Sequence, residues 1–125
     1  MSTTCLRQIF WALFMSRIMY ASSSWWGYTK VCEIAQLNAL IKRGKRWGYC
    51  DPNCSSFEAL CENKDNKLLS TRIANPMHVL YRLLCPEKCH NYNLRKRPHN
   101  RELPQKENAL IQKNFVFRMP YANIY

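Results

Sequence analysis

The stretch TKVCEIAQLNALIKRGKRWGY, residues 29–49, decides the fold of this chain. Apolar side chains recur in it at steps of three and four residues, which predicts an amphipathic helix over 29–46. The expected buried stripe consists of Val31, Ile34, Leu37 and Ile41. The segment 42–46 is cationic except for one glycine, and Gly48 is expected to end the helix. The helix that builds the core therefore also carries a strongly basic surface.

Further helical patterns precede and follow this segment. Residues 4–21 are apolar nearly all round a helix, which then needs neighbours on more than one side. The unbroken apolar run there is much shorter than the roughly 20 residues that a membrane span requires. Ser55 and Glu58 have the spacing of a capping box at the start of a third helix. Asn75 with Pro76 predicts a fourth helix through residue 84, with Met77, Leu80, Tyr81 and Leu84 on its buried side.

These patterns predict an all-α protein, a small bundle of four to five helices. Residues 85–105 contain prolines and no apolar period, so we expect an irregular connection there. A last amphipathic helix covers about 107–119. The chain is therefore expected to consist of a helical domain over 1–84 and a second part, 85–125, made of the connection and a helical tail.

The charge of the chain indicates a polyanionic partner. It has 19 Lys and Arg against 8 Asp and Glu, a formal net charge of +11. Such a surplus repels itself and is best explained by nucleic acid or an acidic membrane face, although a basic surface without a partner is the alternative. The candidate contacts are Lys42, Arg43, Lys45, Arg46, Trp47, Arg95, Lys96 and Arg97. Two alternatives stay open: cations at a helix C-terminus also favour its dipole, and Trp47 either stacks on a base or packs in the core.

The acidic residues exclude a self-contained polymerase or nuclease. Asp51 and Asp65 are the two aspartates and no two acidic residues are adjacent, so ligands for two catalytic metal ions are lacking. No cofactor is expected. The odd number of cysteines, 7, does not suit a closed disulfide framework, so we expect an intracellular rather than a secreted protein.

Two cysteine pairs have a spacing at which two thiolates can reach one zinc ion. The pairs are Cys50 with Cys54 and Cys85 with Cys89. The same thiols also fit a role as small buried side chains or as incidental surface groups in a reducing compartment. We therefore carry a zinc site as a weaker alternative and expect no metal.

Several segments together resemble one known family. They are SRIMYASSSWWG, LNALIKRGKRWG, SFEAL, DNKLL, NPMHVL, LLCP, NYNLRKRPHN, LP and NFVFRMPYANIY. In this order and at similar intervals they resemble the C-terminal end of reverse transcriptases from non-LTR retrotransposons of the jockey and CR1 kind. Each motif alone is loose, and the specificity comes from their collinear order over almost the whole chain.

The resemblance implies that residues 1–84 are thumb-like and that 85–125 are the tail of an RNA-directed DNA polymerase. In the family, fingers and palm precede these parts, and the palm carries the catalytic signature of an aromatic residue, any residue and two aspartates. No segment of this chain matches that signature. The chain is thus expected to be a fragment without enzyme activity, with magnesium needed only by the intact polymerase. It is expected to bind a primer–template duplex of RNA or DNA through the backbone, irrespective of sequence, and to need no membrane. The alternatives are a retroelement remnant without a function and a small zinc-binding interaction module.

Overall fold

The computed structural model describes residues 2–89, 91, 100–105 and 107–122. Within these residues the regular structure is helical and there is no sheet; extended segments pair at an isolated antiparallel bridge between Glu87 and Arg101. The all-α prediction is confirmed. The α-helices are α1 (Thr3–Phe10), α2 (Ser16–Ile18), α3 (Ser22–Trp25), α4 (Val31–Arg46), α5 (Phe57–Ala74), α6 (Ala109–Gln112) and α7 (Phe115–Arg118). None of the described helices combines the length and the apolar character needed to cross a membrane.

The chain divides into two compact units, an N-terminal unit, Met1–Lys64, and a C-terminal unit, Asp65–Tyr125. The first part of α5 belongs to the N-terminal unit and the rest to the C-terminal one. The sequence predicted a different division, into a thumb-like domain over 1–84 and a tail over 85–125. That division stays a prediction.

The first helical stretch of the N-terminal unit is α1 and α2 joined by a π-helical turn, Trp11–Met15. In that turn the Ser16 amide donates to the carbonyl of Trp11, five residues back. The stretch ends at Ala21, which has a left-handed backbone with φ of 47°. Such a conformation is uncommon for alanine. It is accompanied here by the Ser24 hydroxyl, which donates to the Ala21 carbonyl at 2.7 Å.

The core of the N-terminal unit lies between this stretch, α4 and the start of α5. Its buried members are Phe10, Met15, Met19, Ile41, Cys50, Phe57 and Cys61. Trp25 packs against this core, because its ring stacks on that of Phe57 with the centroids 5.8 Å apart. Gly44 lets the Phe10 ring of α1 pack directly against the backbone of α4, since a Cβ at this position would stand 2.7 Å from Cζ of Phe10.

The predicted stripe of α4 is confirmed at Ile34, Leu37 and Ile41, which are buried or packed on the core. It is wrong at Val31, which is 84% exposed. Val31 is the first residue of the helix, one turn before the part that packs, so its side chain has no core to enter. The Schellman motif that ends α4 requires the left-handed backbone of Gly48, at φ 77°, as the sequence indicated.

The capping box predicted for α5 is wrong. The hydroxyl at the helix start belongs to Ser56, not Ser55, and it accepts from the Ala59 amide at 3.4 Å. Glu58 does not complete the predicted box with Ser55: its carboxylate accepts a hydrogen bond from the side-chain amide of Asn38 in α4, and the Ser56 side chain makes a weaker contact with it. The main partner of Glu58 is thus a residue 20 positions away and not the predicted local cap.

The helix predicted over 76–84 in the C-terminal unit is also wrong. A turn at Asn75, whose side chain accepts from the Met77 amide, leads into a short 3-10 helix, Val79–Leu83. His78 caps that helix by accepting from the Leu80 amide. Met77, expected on the buried side, is 90% exposed because the turn directs it away from the unit.

The predicted C-terminal helix is broken into α6 and α7. Asn108 and Asn114 each cap a new start, by accepting hydrogen bonds from the amides of Leu110 and Val116. A buried ion pair then links α7 to α5: the guanidinium of Arg118 donates to the carboxylate of Asp65 at 2.8 Å. At the described ends of the irregular connection, Arg101 donates to the Cys85 carbonyl and lies over the Tyr81 ring.

Candidate nucleic-acid interface

Three of the predicted cations meet on one face of α4. Lys42, Arg43 and Arg46, together with Ala39, line a shallow concavity of about 200 Å³. The three cations follow Ala39 by three, four and seven residues, which places all four side chains on neighbouring turns of the same side of the helix. Ala39 matters because its small side chain leaves the space that the three longer side chains surround.

The orientation of this basic face follows from the packing of the opposite one. Ile41 and Gly44 are both buried, and Gly44 lies directly against the Phe10 ring. Rotation of α4 about its axis would break that contact, so the cations are held toward solvent. The contact between Phe10 and Gly44 thus fixes the orientation of the basic face, although neither residue belongs to that face.

The charges of this face are not neutralised within the part of the chain that the structure describes. The ion pairs there join Arg101 to Glu87 and Arg118 to Asp65, and neither involves the α4 face. Lys42 and Arg46 are four residues apart, at a separation where like charges repel. An anion bound in the concavity would remove that repulsion.

Lys45 is not brought together with the other three cations. Its ammonium group donates to the Cys54 carbonyl and its side chain is half-buried beside the loop after α4. In the same loop, burial and then a hydrogen bond with the neighbouring Cys54 raise the pKa of the Cys50 thiol from 9.0 to about 11. The nearby Lys45 charge opposes this rise.

Trp47 follows the basic face directly and is 63% exposed. Its ring meets Tyr49 edge-on, with the ring centroids 6.0 Å apart and the planes at 69°. Of the two alternatives left open by the sequence, core packing is therefore wrong. An exposed indole beside guanidinium groups suits stacking on a base.

The remaining candidates are a second basic segment and the cysteine pairs. Arg95, Lys96 and Arg97 lie outside the described residues. The cysteines proposed as zinc ligands are free thiols, and no group of three or more His, Cys, Asp or Glu side chains suited to a metal occurs within the described ranges.

A second feature of the same helix, which was not predicted from the sequence, is an open groove of about 470 Å³. Its lining residues are Trp25, Tyr28, Thr29, Glu33, Gln36 and Leu37. Two features of the sequence could have indicated this groove: the aromatic cluster before α4, and the polar pair Glu33 and Gln36 in the first turns of the helix. What could not be read from the sequence is that the 3-10 turn, Trp26–Tyr28, folds the aromatic residues back against the helix.

Comparison of the chain with protein-family models, with curated proteins and with solved structures found no match.

Proposed function

We propose that the chain binds nucleic acid through the phosphate backbone, as the thumb-like and tail part of a non-LTR retrotransposon reverse transcriptase. The observation that carries the proposal is the convergence of Lys42, Arg43 and Arg46 on one concavity, next to the exposed Trp47. The collinear motifs support the retrotransposon origin, and through it a primer–template as the nucleic acid.

The chemistry of the three cations suits phosphate. Guanidinium groups offer paired N–H donors that match phosphate oxygens, and the lysine adds a mobile point charge. Each neutralised phosphate contributes a slope of roughly −0.9 to a plot of log affinity against log salt for duplex DNA, so three contacts give about −2.7. No base edge is read by such contacts, so binding is independent of sequence.

The test is a salt titration of binding to a fluorescent blunt hairpin duplex, followed by anisotropy. The triple variant Lys42→Ala, Arg43→Ala, Arg46→Ala should lose most of the affinity and most of the salt slope. Its matched control removes three exposed cations elsewhere, with Arg17→Ala, Lys30→Ala and Lys67→Ala. The control has the same net charge and should keep most of the slope. Equal losses in the two variants would mean that net charge, and not the α4 face, governs binding.

The resemblance to retrotransposon reverse transcriptases also leads us to propose a location and a protein partner for the chain. The chain acts inside the cell, in cytoplasm or nucleus, without enzyme activity of its own. Its protein partner is a palm and fingers region, which brings the catalytic aspartates and their magnesium. Addition of that region in a separate chain should restore primer extension only if the α4 cations are intact.

A remnant without a function is the alternative, and one observation favours it. Four large apolar side chains of the first helical stretch are about half exposed: Ile9, Trp11, Leu13 and Phe14. Surface of that kind promotes association of an isolated product. Sedimentation and urea unfolding decide between the two, because a monomer with one cooperative transition contradicts the remnant and an aggregate supports it.

A further inference from the structure

We infer that the groove formed by Trp25, Tyr28, Thr29, Glu33, Gln36 and Leu37 holds an unpaired nucleobase, so that α4 prefers a single-stranded segment over a blunt duplex. This rests on the proposed function, because the phosphates of the same strand lie on the basic face. It names the substrate class, an unpaired strand such as a template overhang.

The shape and lining of the groove suit a flat heteroaromatic ring. Trp25 and Tyr28 contribute aromatic surface and Leu37 contributes an aliphatic wall. Trp25 is fixed in place, since its ring stacks on Phe57 and its indole N–H donates to the Tyr20 carbonyl at 2.9 Å. Stacking on such a preorganised surface tolerates every base, because each base has a π-face.

Polar groups in the groove match the edge of a base. The Thr29 hydroxyl is buried and forms no hydrogen bond with any described residue. Gln36 is exposed and offers a donor and an acceptor. One carboxylate oxygen of Glu33 accepts from the Lys30 amide at 2.8 Å, and the carboxylate keeps lone pairs that can accept from a base amino group.

The distribution of charge orients the strand. Glu33 places a negative charge in the groove, which disfavours a phosphate there, while the cations stand further along the helix. Gln36 and Arg43 are seven residues apart on the same side, about 10 Å along the axis. An extended strand can span that distance with a base in the groove and its following phosphates on the basic face. The exposed Trp47 lies one turn beyond Arg43, where a further base can stack.

The experiment measures anisotropy with three labelled probes: an oligothymidylate of about 12 nucleotides, an abasic strand of the same length, and the blunt hairpin duplex. The wild type should bind the oligothymidylate about tenfold more tightly than the abasic strand, as expected for one stacked base. Tyr28→Ala should reduce that difference severalfold, with the remainder due to stacking on Trp47, and leave the duplex affinity within about twofold. Tyr20→Ala, which removes an aromatic ring that is 78% exposed and outside the groove, is the matched control and should change nothing.

The outcomes separate this inference from the proposed function. Equal wild-type affinity for the normal and abasic strands overturns the base site, even if the triple cation variant loses binding and so supports backbone contact. Binding that survives the triple variant overturns the proposed function itself. If melting by circular dichroism shows that Tyr28→Ala is unfolded, Thr29→Val and Gln36→Ala decide, each expected to reduce binding of the oligothymidylate alone.

Discussion

Gly44 of α4 lies against the Phe10 ring of α1, and the effect of a substitution at Gly44 on stability depends on that one neighbour. Alanine at an interior helix position normally gains about 1 kcal/mol over glycine. Here the new Cβ would meet Cζ of Phe10 at 2.7 Å, and overpacking of that kind costs about 1–3 kcal/mol. The Phe10 ring is buried and stacked on Phe14 with centroids 5.4 Å apart, so it has little room to move. We therefore expect Gly44→Ala to lower the free energy of unfolding by about 1 kcal/mol in urea titrations.

In a Phe10→Leu background, Gly44→Ala should change stability in the opposite direction. In Phe10→Leu the side chain ends short of the position of Cζ, so the contact with a new Cβ is relieved. Gly44→Ala should then stabilise the protein relative to Phe10→Leu alone, because only the gain in helix propensity remains. Destabilisation of equal size in both backgrounds would contradict the contact.

Cys50 gives a prediction for alkaline pH. Burial, followed by the hydrogen bond with Cys54, raises the pKa of its thiol from 9.0 to about 11 in the folded protein. The unfolded chain therefore loses this proton first as the pH rises. The stability that the buried neutral thiol contributes is fully present below about pH 9 and is lost as the pH rises toward 11.

The measurement is the unfolding free energy of wild type and Cys50→Ala across that window. The difference between the two proteins should shrink from pH 9 to pH 11, since the alanine variant has no thiol to titrate at this position. Cys5→Ala, at an exposed position, serves as the control and should leave the pH dependence unchanged. A difference that stays constant would show that Cys50 does not titrate in this range.

At the scale of elements, Asn38 joins α4 to the start of α5 through two hydrogen bonds. Its side-chain carbonyl accepts from the Phe57 amide at 2.8 Å, and its amide donates to the Glu58 carboxylate at 2.9 Å. Asn38→Ala leaves the first amide of α5 without a partner, which we expect to cost about 2 kcal/mol, more than the helix propensity that alanine adds to α4. Urea unfolding at neutral pH measures the loss, and Asn63→Ala, at an exposed position in α5, is the matched control.

The same pair has a pH signature. The hydrogen bond from Asn38 is the main cause that holds the pKa of Glu58 below its ordinary value of 4.5. The resulting stability is present above the unfolded pKa and is lost as the pH falls through the lowered one. The free energy of unfolding of Asn38→Ala should therefore fall much less at acid pH than that of the wild type. A variant as sensitive to acid as the wild type would show that the bond does not form in solution.

Asn38 also shows which elements could be predicted from the sequence. The period of α4 predicted its face, its basic surface and its end at Gly48, because each depends on residues within a few positions. The start of α5 could not be predicted, because Glu58 has a local partner in the sequence and a different one, 20 positions away, in the fold. Lys45 is similar: the sequence grouped it with Lys42 as a cation on the last turn of the helix, and in the fold its ammonium group is instead bonded to the loop at Cys54.

At the scale of the whole molecule, the net charge of +11 makes added salt act in two opposite directions. Salt screens the repulsion among the cations, so the midpoint of thermal unfolding should rise by a few degrees between about 50 and 200 mM NaCl. Over the same range, counterion release should weaken binding to the hairpin duplex, by roughly fortyfold if the slope is about −2.7.

A charge-reversal variant separates the two effects. Lys67→Glu with Lys88→Glu lowers the net charge by four at exposed positions outside the α4 face. At low salt it should unfold at a higher temperature than the wild type and gain less from added NaCl, because less repulsion is left to screen. Its salt slope for duplex binding should change little, since the cations of the concavity are intact. If the slope for binding falls as far as in the triple α4 variant, the affinity arises from the charge of the entire molecule and the α4 face has no special part in it.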